Sequence, residues 1–238
     1  MGRRAVGLVS GGLDSLLAVR MVQQMGFEVH ALHVVCGFEP AHLRTLMAGR
    51  PLEAPDAIGR SGARVELLDL RDPFLDVLAN PAHGYGSQLN PCIDCKILML
   101  RRAAERMRAL NASFVFTGEV LGQRPMSQRK EALDVVARES GLENHLVRPL
   151  CGARLPPSAP EREGHIRREQ LASIQGRSRK PQVQLARTLG IDDYPAPAGG
   201  CLLTDPAYAT RARRWLESRP GRRLQREDPL LQPAPQQR

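Results

Sequence analysis

The chain contains no run approaching the roughly 20 apolar residues that a membrane-crossing helix needs. Its opening, MGRRAVGLVSGG, turns glycine-rich before an export signal could form. A soluble, cytoplasmic protein with no membrane partner is expected. Aromatic residues make up only 4% of the 238 residues, with one tryptophan, Trp215, so platforms for stacking unpaired bases are scarce. Lysine is nearly missing: Lys96, Lys130 and Lys180 stand alone among 34 cationic residues. The five cysteines are too few and odd in number for a secreted disulfide framework, which leaves thiols or metal ligands in a reducing compartment. No internal repeat is visible, and the composition excludes collagen, fibre and coiled coil.

What is present is 42% hydrophobic and 25% charged, enough for one large α/β domain or one domain with a small appendage. The formal charge of +9 is unevenly placed. Through Pro160 there are 19 Lys+Arg against 16 Asp+Glu, and beyond it 15 against 9, so the basic excess sits in the last third. Arginine forks suit bidentate phosphate contact, which points to a polyanion such as RNA; a bias in genomic base composition is the bland alternative.

Strand and helix signals alternate. Ala5 to Val9 is a short apolar run, followed by the turn SGGLDS and by apolar residues at helical spacing from Leu16 to Met25. Val29 to Val35, Arg64 to Leu70, Ser113 to Thr117 and His145 to Arg148 read as further strands. Lys96 to Leu110 and Lys130 to Ser140 read as helices. This order predicts an α/β fold, an open parallel sheet with helices on both faces. The boundaries expected are a nucleotide-binding domain over 1–151, a linker or surface loop over 152–164, a basic helical extension over 165–218 carrying Cys201, and a flexible tail over 219–238. Within the extension, Ile166 to Ile174, Gln182 to Leu189 and Ala207 to Leu216 read as helices.

The first strand delivers the chain into Ser10, Gly11, Gly12, Leu13, Asp14 and Ser15. Adjacent glycines allow backbone N–H groups to turn inward as an anion nest, and the following helix points its positive end at the same place. Phosphate is the natural guest. The Walker pattern GxxxxGK[ST] is absent, and Asp14 would repel a bare phosphate unless a magnesium ion bridged the two.

NPCIDCK places Cys92 and Cys95 two residues apart just before a helix, and Cys201 follows two glycines in PAPAGGCLLTDP. Three thiolates on two pieces of chain suit an iron–sulfur cluster with one open iron. A Cys92–Cys95 redox pair with a persulfide on Cys201, or a zinc site completed by His83, are the alternatives. Cys36 and Cys151 have no partner at ligand spacing and read as small core residues.

SGGLDS between a strand and a helix resembles the PP-loop of ATP-dependent adenylating enzymes, whose fold is the adenine nucleotide alpha hydrolase type. A second block, TGEVLGQRPMSQ from Thr117 to Gln128, is similar to a segment of ThiI-type tRNA 4-thiouridine synthetases, and HLVRPL from His145 to Leu150 is similar to another. The CxxC with a distant cysteine resembles the cluster-bearing tRNA thiolases. The resemblance implies an ATP-dependent tRNA sulfurtransferase that transfers AMP to a uridine carbonyl oxygen and then replaces that oxygen with sulfur. It implies ATP held by Ser10 to Ser15, by His33, Val34 and Val35 at the adenine, and by Gly118, Gln123 and Arg124. It further implies Mg2+, a [4Fe-4S] cluster on Cys92, Cys95 and Cys201, and Asp14 with those cysteines as the catalytic set.

The chain departs from the family in leaving no room before Ala5 for an N-terminal RNA-binding region, and no rhodanese-like extension follows the core. RNA would then be held by the chain's own body, with Arg177, Arg179 and Lys180 in GRSRKPQ on backbone phosphates, or by a separate RNA-binding protein. The sulfur donor would be sulfide or the persulfide of a cysteine desulfurase. A PP-loop ligase acting on a small molecule, and a non-catalytic RNA- or metal-binding module, remain as alternatives.

Overall fold

The computed structural model describes residues 3–196 and 200–218; the expectation for the tail over 219–238 lies outside them. The chain forms two compact units that interleave along the sequence. The first is Met1–Val34, Ala54–Leu68 and Lys96–Ala198, and the second is Val35–Glu53, Asp69–Cys95 and Gly199–Arg238.

The first unit is built on five parallel strands: β1 (Arg4–Leu8), β2 (Glu28–Val35), β3 (Arg64–Asp69), β4 (Phe114–Thr117) and β5 (Leu146–Val147). Their order is β3-β2-β1-β4-β5. In β1 and β4 every residue but Arg4 is buried, as required of central parallel strands covered on both faces. Ala5 pairs with Phe114 and Leu8 with Thr117. The order of winding reverses between these two strands, and open parallel sheets take their ligands at such a switch point, beyond the carboxyl ends.

Helix α1 (Leu13–Gln24) follows β1 directly. It buries Leu13, Leu16, Leu17, Val19 and Val22, each worth about 1.5–3 kcal/mol by transfer from water. The remaining helices in chain order are α2 (Pro40–Met47), α3 (Asp56–Arg60), α4 (Arg71–Ala79), α5 (Cys92–Ala109), α6 (Lys130–Glu139), α7 (Ala159–Arg162), α8 (Lys180–Thr188) and α9 (Pro206–Ser218). Helix α5 buries Ile97, Leu100, Ala103 and Ala104 and turns its arginines outward. Among the described residues no helix is long and apolar enough to cross a membrane.

Three elements differ from expectation. Helix α5 starts at Cys92 rather than Lys96, because the Cys95 N–H already reaches the Pro91 carbonyl at 2.8 Å. Both cysteines of the CxxC therefore lie in its first turn, not ahead of it. The segment over 166–174 is not a helix beyond the short 3-10 turn Arg168–Gln170. Its backbone is claimed by a distant one: Ala172 N–H donates to the Pro149 carbonyl at 2.8 Å and Ile174 N–H to that of Leu150 at 2.9 Å. The stretch over 152–164 holds a 3-10 turn and α7, whose Ser158 and Glu161 form a capping box. That stretch and residues 165–198 lie in the first unit, whereas Cys201 lies in the second.

In the second unit α4 and α9 pack against Phe38. That ring meets Phe74 at 5.5 Å and stands edge-on to Tyr208 at 6.3 Å. Two backbone bonds fasten the segment after Gly200: Leu202 N–H donates to the Phe38 carbonyl at 2.9 Å, and Leu89 N–H donates to the Leu203 carbonyl at 3.2 Å.

Candidate functional site

The glycine turn and the loop after β4 meet at the switch point of the sheet. Gly11 has φ +80°, a left-handed conformation open to glycine at no steric cost, and it turns the chain so that Gly12 becomes the N-cap of α1. The Ser15 hydroxyl donates to the Gly12 carbonyl at 2.8 Å, and Ser10 Oγ accepts from the Gly12 N–H at 3.4 Å. Asp14 Oδ2 accepts from Gln123 Nε2 at 2.9 Å, a bond spanning 109 residues of sequence that ties the two loops together. Asp14 Oδ1 is buried with no hydrogen-bond partner. A buried carboxylate oxygen left unsatisfied is costly unless something else occupies its lone pairs.

The loops approach as closely as backbone permits. A Cβ on Gly118 would lie 2.6 Å from the carbonyl carbon and oxygen of Asp14 and 2.7 Å from the Ser15 nitrogen. Gly118→Ala must therefore push the second loop off the first. We expect a cost of about 1–3 kcal/mol, read by thermal melting.

Of the other residues expected at the nucleotide, His33 is buried at the end of β2. Its Nδ1 donates to the Val9 carbonyl at 3.0 Å, which fixes the ring as a strand-end strut. Val34 is half-buried, Val35 buried and Arg124 exposed. In the basic stretch, Arg177 is exposed and Arg179 half-buried ahead of α8, and the exposed Lys180 opens that helix.

Behind the second loop lies a charge network that the spacing of residues did not single out. Glu119 Oε2 accepts from Arg148 Nε at 3.1 Å and from the Thr117 hydroxyl at 3.0 Å, and Lys96 Nζ lies 3.8 Å from Oε1. Arg148 also donates to the Leu133 carbonyl at 3.1 Å. Burial pushes the Glu119 carboxyl up, but Lys96, Arg148 and the hydroxyl together outweigh it and hold the group below the ordinary carboxylate range. The signal was available: Glu119 stands in TGE and Arg148 in VRPL, two blocks already noted for their resemblance.

The second unit gathers four thiols, Cys36, Cys92, Cys95 and Cys201; all five cysteines of the chain are free. Asn90 Nδ2 donates to Cys92 Sγ at 3.2 Å. The influence of Cys95, with burial, pushes the Cys36 thiol far up. Burial pushes Cys201 up to about 12, with Glu39, Cys95 and Cys92 adding to it. His83, the alternative zinc ligand, directs Nδ1 at Asp94 Oδ1 at 3.0 Å. Among the described residues no three His, Cys, Asp or Glu side chains converge to hold a metal ion. The trio Cys92, Cys95 and Cys201 shares a unit, with Cys92 and Cys95 near enough to Cys201 to raise its thiol. Cys36 is buried in the core, as its lack of a partner at ligand spacing leads one to expect.

A doubly wound parallel sheet with a serine-flanked glycine turn at its switch point defines a protein of the PP-loop class. The family model for Thiamine biosynthesis protein (ThiI) matches residues 2–154, and the chain belongs to that family. The Probable tRNA sulfurtransferase of Thermococcus kodakarensis is 27% identical over 149 residues, covering 63% of this chain and 37% of its own length. The tRNA-specific 2-thiouridylase MnmA of Desulfosudis oleivorans is 33% identical over 115 residues, 47% of this chain and 30% of that protein. The 7-cyano-7-deazaguanine synthase of Stenotrophomonas maltophilia is 32% identical over 119 residues, 49% and 53% respectively. The chain therefore spans from under a third to about half of the length of these relatives. Among solved structures, a 4-thiouridine synthetase in complex with RNA and bound ATP aligns with TM-score 0.44 and 19% identity, over 79% of this chain and 52% of that one.

Proposed function

We propose that the chain is an ATP-dependent sulfurtransferase acting on tRNA, which adenylates a uridine carbonyl oxygen and exchanges it for sulfur. The observation that carries this reading is the switch-point pairing of the glycine turn with the loop after β4 through Asp14 and Gln123. Inward N–H groups of Gly11 to Leu13 and the hydroxyls of Ser10 and Ser15 would hold the pyrophosphate leaving group of ATP. The unpartnered Asp14 Oδ1 fits one ligand position of Mg2+, an ion that needs only one or two carboxylates besides phosphate oxygens and that would neutralise phosphate charge. Gln123 orients Asp14, and Gly118 keeps the two loops in register.

Activation makes chemical sense, since a pyrimidine carbonyl oxygen is a poor leaving group and AMP a good one. Sulfur delivery belongs to the thiols of the second unit, acting as nucleophiles. Iron and visible absorption in anaerobically prepared chain, both lost in Cys201→Ala, would replace that thiol route with a cluster route.

Arg177, Arg179 and Lys180 supply phosphate contacts for tRNA. Replacing all three with Ala should lower the slope of log affinity against log salt by about 0.9 for each contact removed, measured by tRNA binding across a salt series. Liquid chromatography and mass spectrometry of tRNA nucleosides from a strain lacking the gene tests the whole reading. Loss of one thiolated uridine is the expected result. An unchanged nucleoside profile, with ATP turned over only in the presence of a small molecule, would move the chain to the ligase alternative.

A further inference from the structure

Near the start of α5 stands Lys96, one of three lysines in a chain that uses arginine for almost every other positive charge. Helix α5 leads into β4 and runs opposite to it, so its beginning lies at the carboxyl ends of the strands, where Glu119 follows β4. Lys96, Glu119, Arg148 and the glycine turn all belong to the first unit. The Lys96 ammonium is 3.8 Å from Glu119 Oε1, too far for a hydrogen bond, and that oxygen is buried with no partner of its own. Arg148 already matches the Glu119 carboxylate at 3.1 Å, and the Thr117 hydroxyl adds a second bond to the same Oε2. Lys96 is therefore a surplus cation. Its side chain is 26% exposed, and a positive charge drawn largely out of water calls for an anion. Gly118, whose Cα packs on the backbone of Asp14 and Ser15, stands directly before Glu119, so a single residue separates the partner of this surplus charge from the glycine turn.

We propose that Lys96 is a catalytic residue of the adenylation step, its ammonium meeting the charge that develops on the α-phosphate. The proposal rests on the sulfurtransferase reading above and adds to it a residue outside the glycine turn. In that step the uridine carbonyl oxygen attacks the α-phosphorus of ATP, and the new O–P bond forms as the bond to the β-phosphate oxygen breaks. Pyrophosphate leaves with the electron pair, and the ring nitrogen beside the carbonyl gives its proton to water. Nothing is oxidised or reduced. Negative charge builds on the α-phosphate oxygens and on the departing oxygen. An ammonium whose three N–H donors are not spent on Glu119 can meet that charge without first breaking a bond. Glu119 aims it: the unpartnered Oε1 draws the ammonium inward, while the Arg148 bond keeps the carboxylate fixed. A compact point charge suits this place better than a guanidinium fork, which would turn to pair with the carboxylate itself.

The test is steady-state AMP formation by the full chain with ATP and unmodified tRNA, with ATP affinity taken separately by calorimetry and folding by thermal melting. Lys96→Met keeps the length of the side chain and loses its charge. It should lower kcat by more than about 100-fold and leave ATP affinity within about threefold. Lys96→Arg should recover part of the rate. A lysine that merely offsets Glu119 would behave otherwise, so Lys96→Met is also made in a Glu119→Gln chain, where there is no charge to offset. The same proportional loss of kcat is expected there. Unchanged kcat in Lys96→Met, a loss confined to ATP affinity, or a loss that vanishes in the Glu119→Gln chain each overturns the proposal. A wild-type chain that forms AMP only with a small molecule overturns the tRNA reading alone, provided Lys96→Met lowers that rate by the same factor. A wild-type chain that forms AMP with neither overturns both.

Discussion

Asp14→Asn is expected to lower ATP-dependent AMP formation by on the order of 100-fold or more, the scale seen when a preorganised electrostatic contact to a reacting phosphoryl or acyl group is removed. The fold should survive. Asn keeps an oxygen that can accept the Gln123 Nε2 bond at 2.9 Å, so the two loops remain joined, while the charge of the buried, unpartnered Oδ1 is gone. The check is AMP release with tRNA present, alongside a melting curve. Normal AMP release from a normally folded variant would remove Asp14 from the nucleotide site, and with it the reading of the glycine turn.

Glu119→Ala should be among the most destabilising single changes in the first unit, about 3–5 kcal/mol by chemical denaturation, because it strands a buried guanidinium. The side chains of Glu119 and Arg148 are 4% and 6% exposed, so water cannot take the place of the lost carboxylate. Glu66 is the contrast. It meets His30 and Arg106 at 2.7 and 2.6 Å, but the partners are exposed enough for solvent to screen the ion pairs, and its removal should cost about 1 kcal/mol or less. The same network gives a pH dependence with a fixed sign. Glu119 is held below its ordinary value of 4.5 in the folded chain, so its contribution is complete above that value and is lost as pH falls through the depressed folded one. Acid unfolding of the wild type should therefore flatten in a Glu119→Gln variant, measured as the melting temperature across an acid series.

The parallel sheet was legible because its central strands are almost wholly apolar and each ends in glycine or a short polar loop. The first turn of α5 was harder to read. Pro91 starts the helix by accepting from Cys95, a role that apolar periodicity beginning at Ile97 does not register. The segment over 166–174 misled in the opposite way: its residues have helical spacing, but the backbone of its second half bonds to residues 149 and 150, and such long-range pairing leaves no local pattern.

The glycine turn was readable for the same reason it works, since its chemistry is local to six residues. The contact of Asp14 with Gln123 and the crowding at Gly118 join residues about 100 positions apart, and only the fold brings them together.

The proposed function is one coupled reaction, and the purified chain can be tested for it directly. Incubated with ATP, unmodified tRNA and hydrosulfide, it should form AMP, pyrophosphate and a thiolated uridine in equal amounts, with AMP formation dependent on tRNA. Thiolated uridine that forms without ATP consumption, or AMP that forms with no sulfur reaching the RNA, would contradict it.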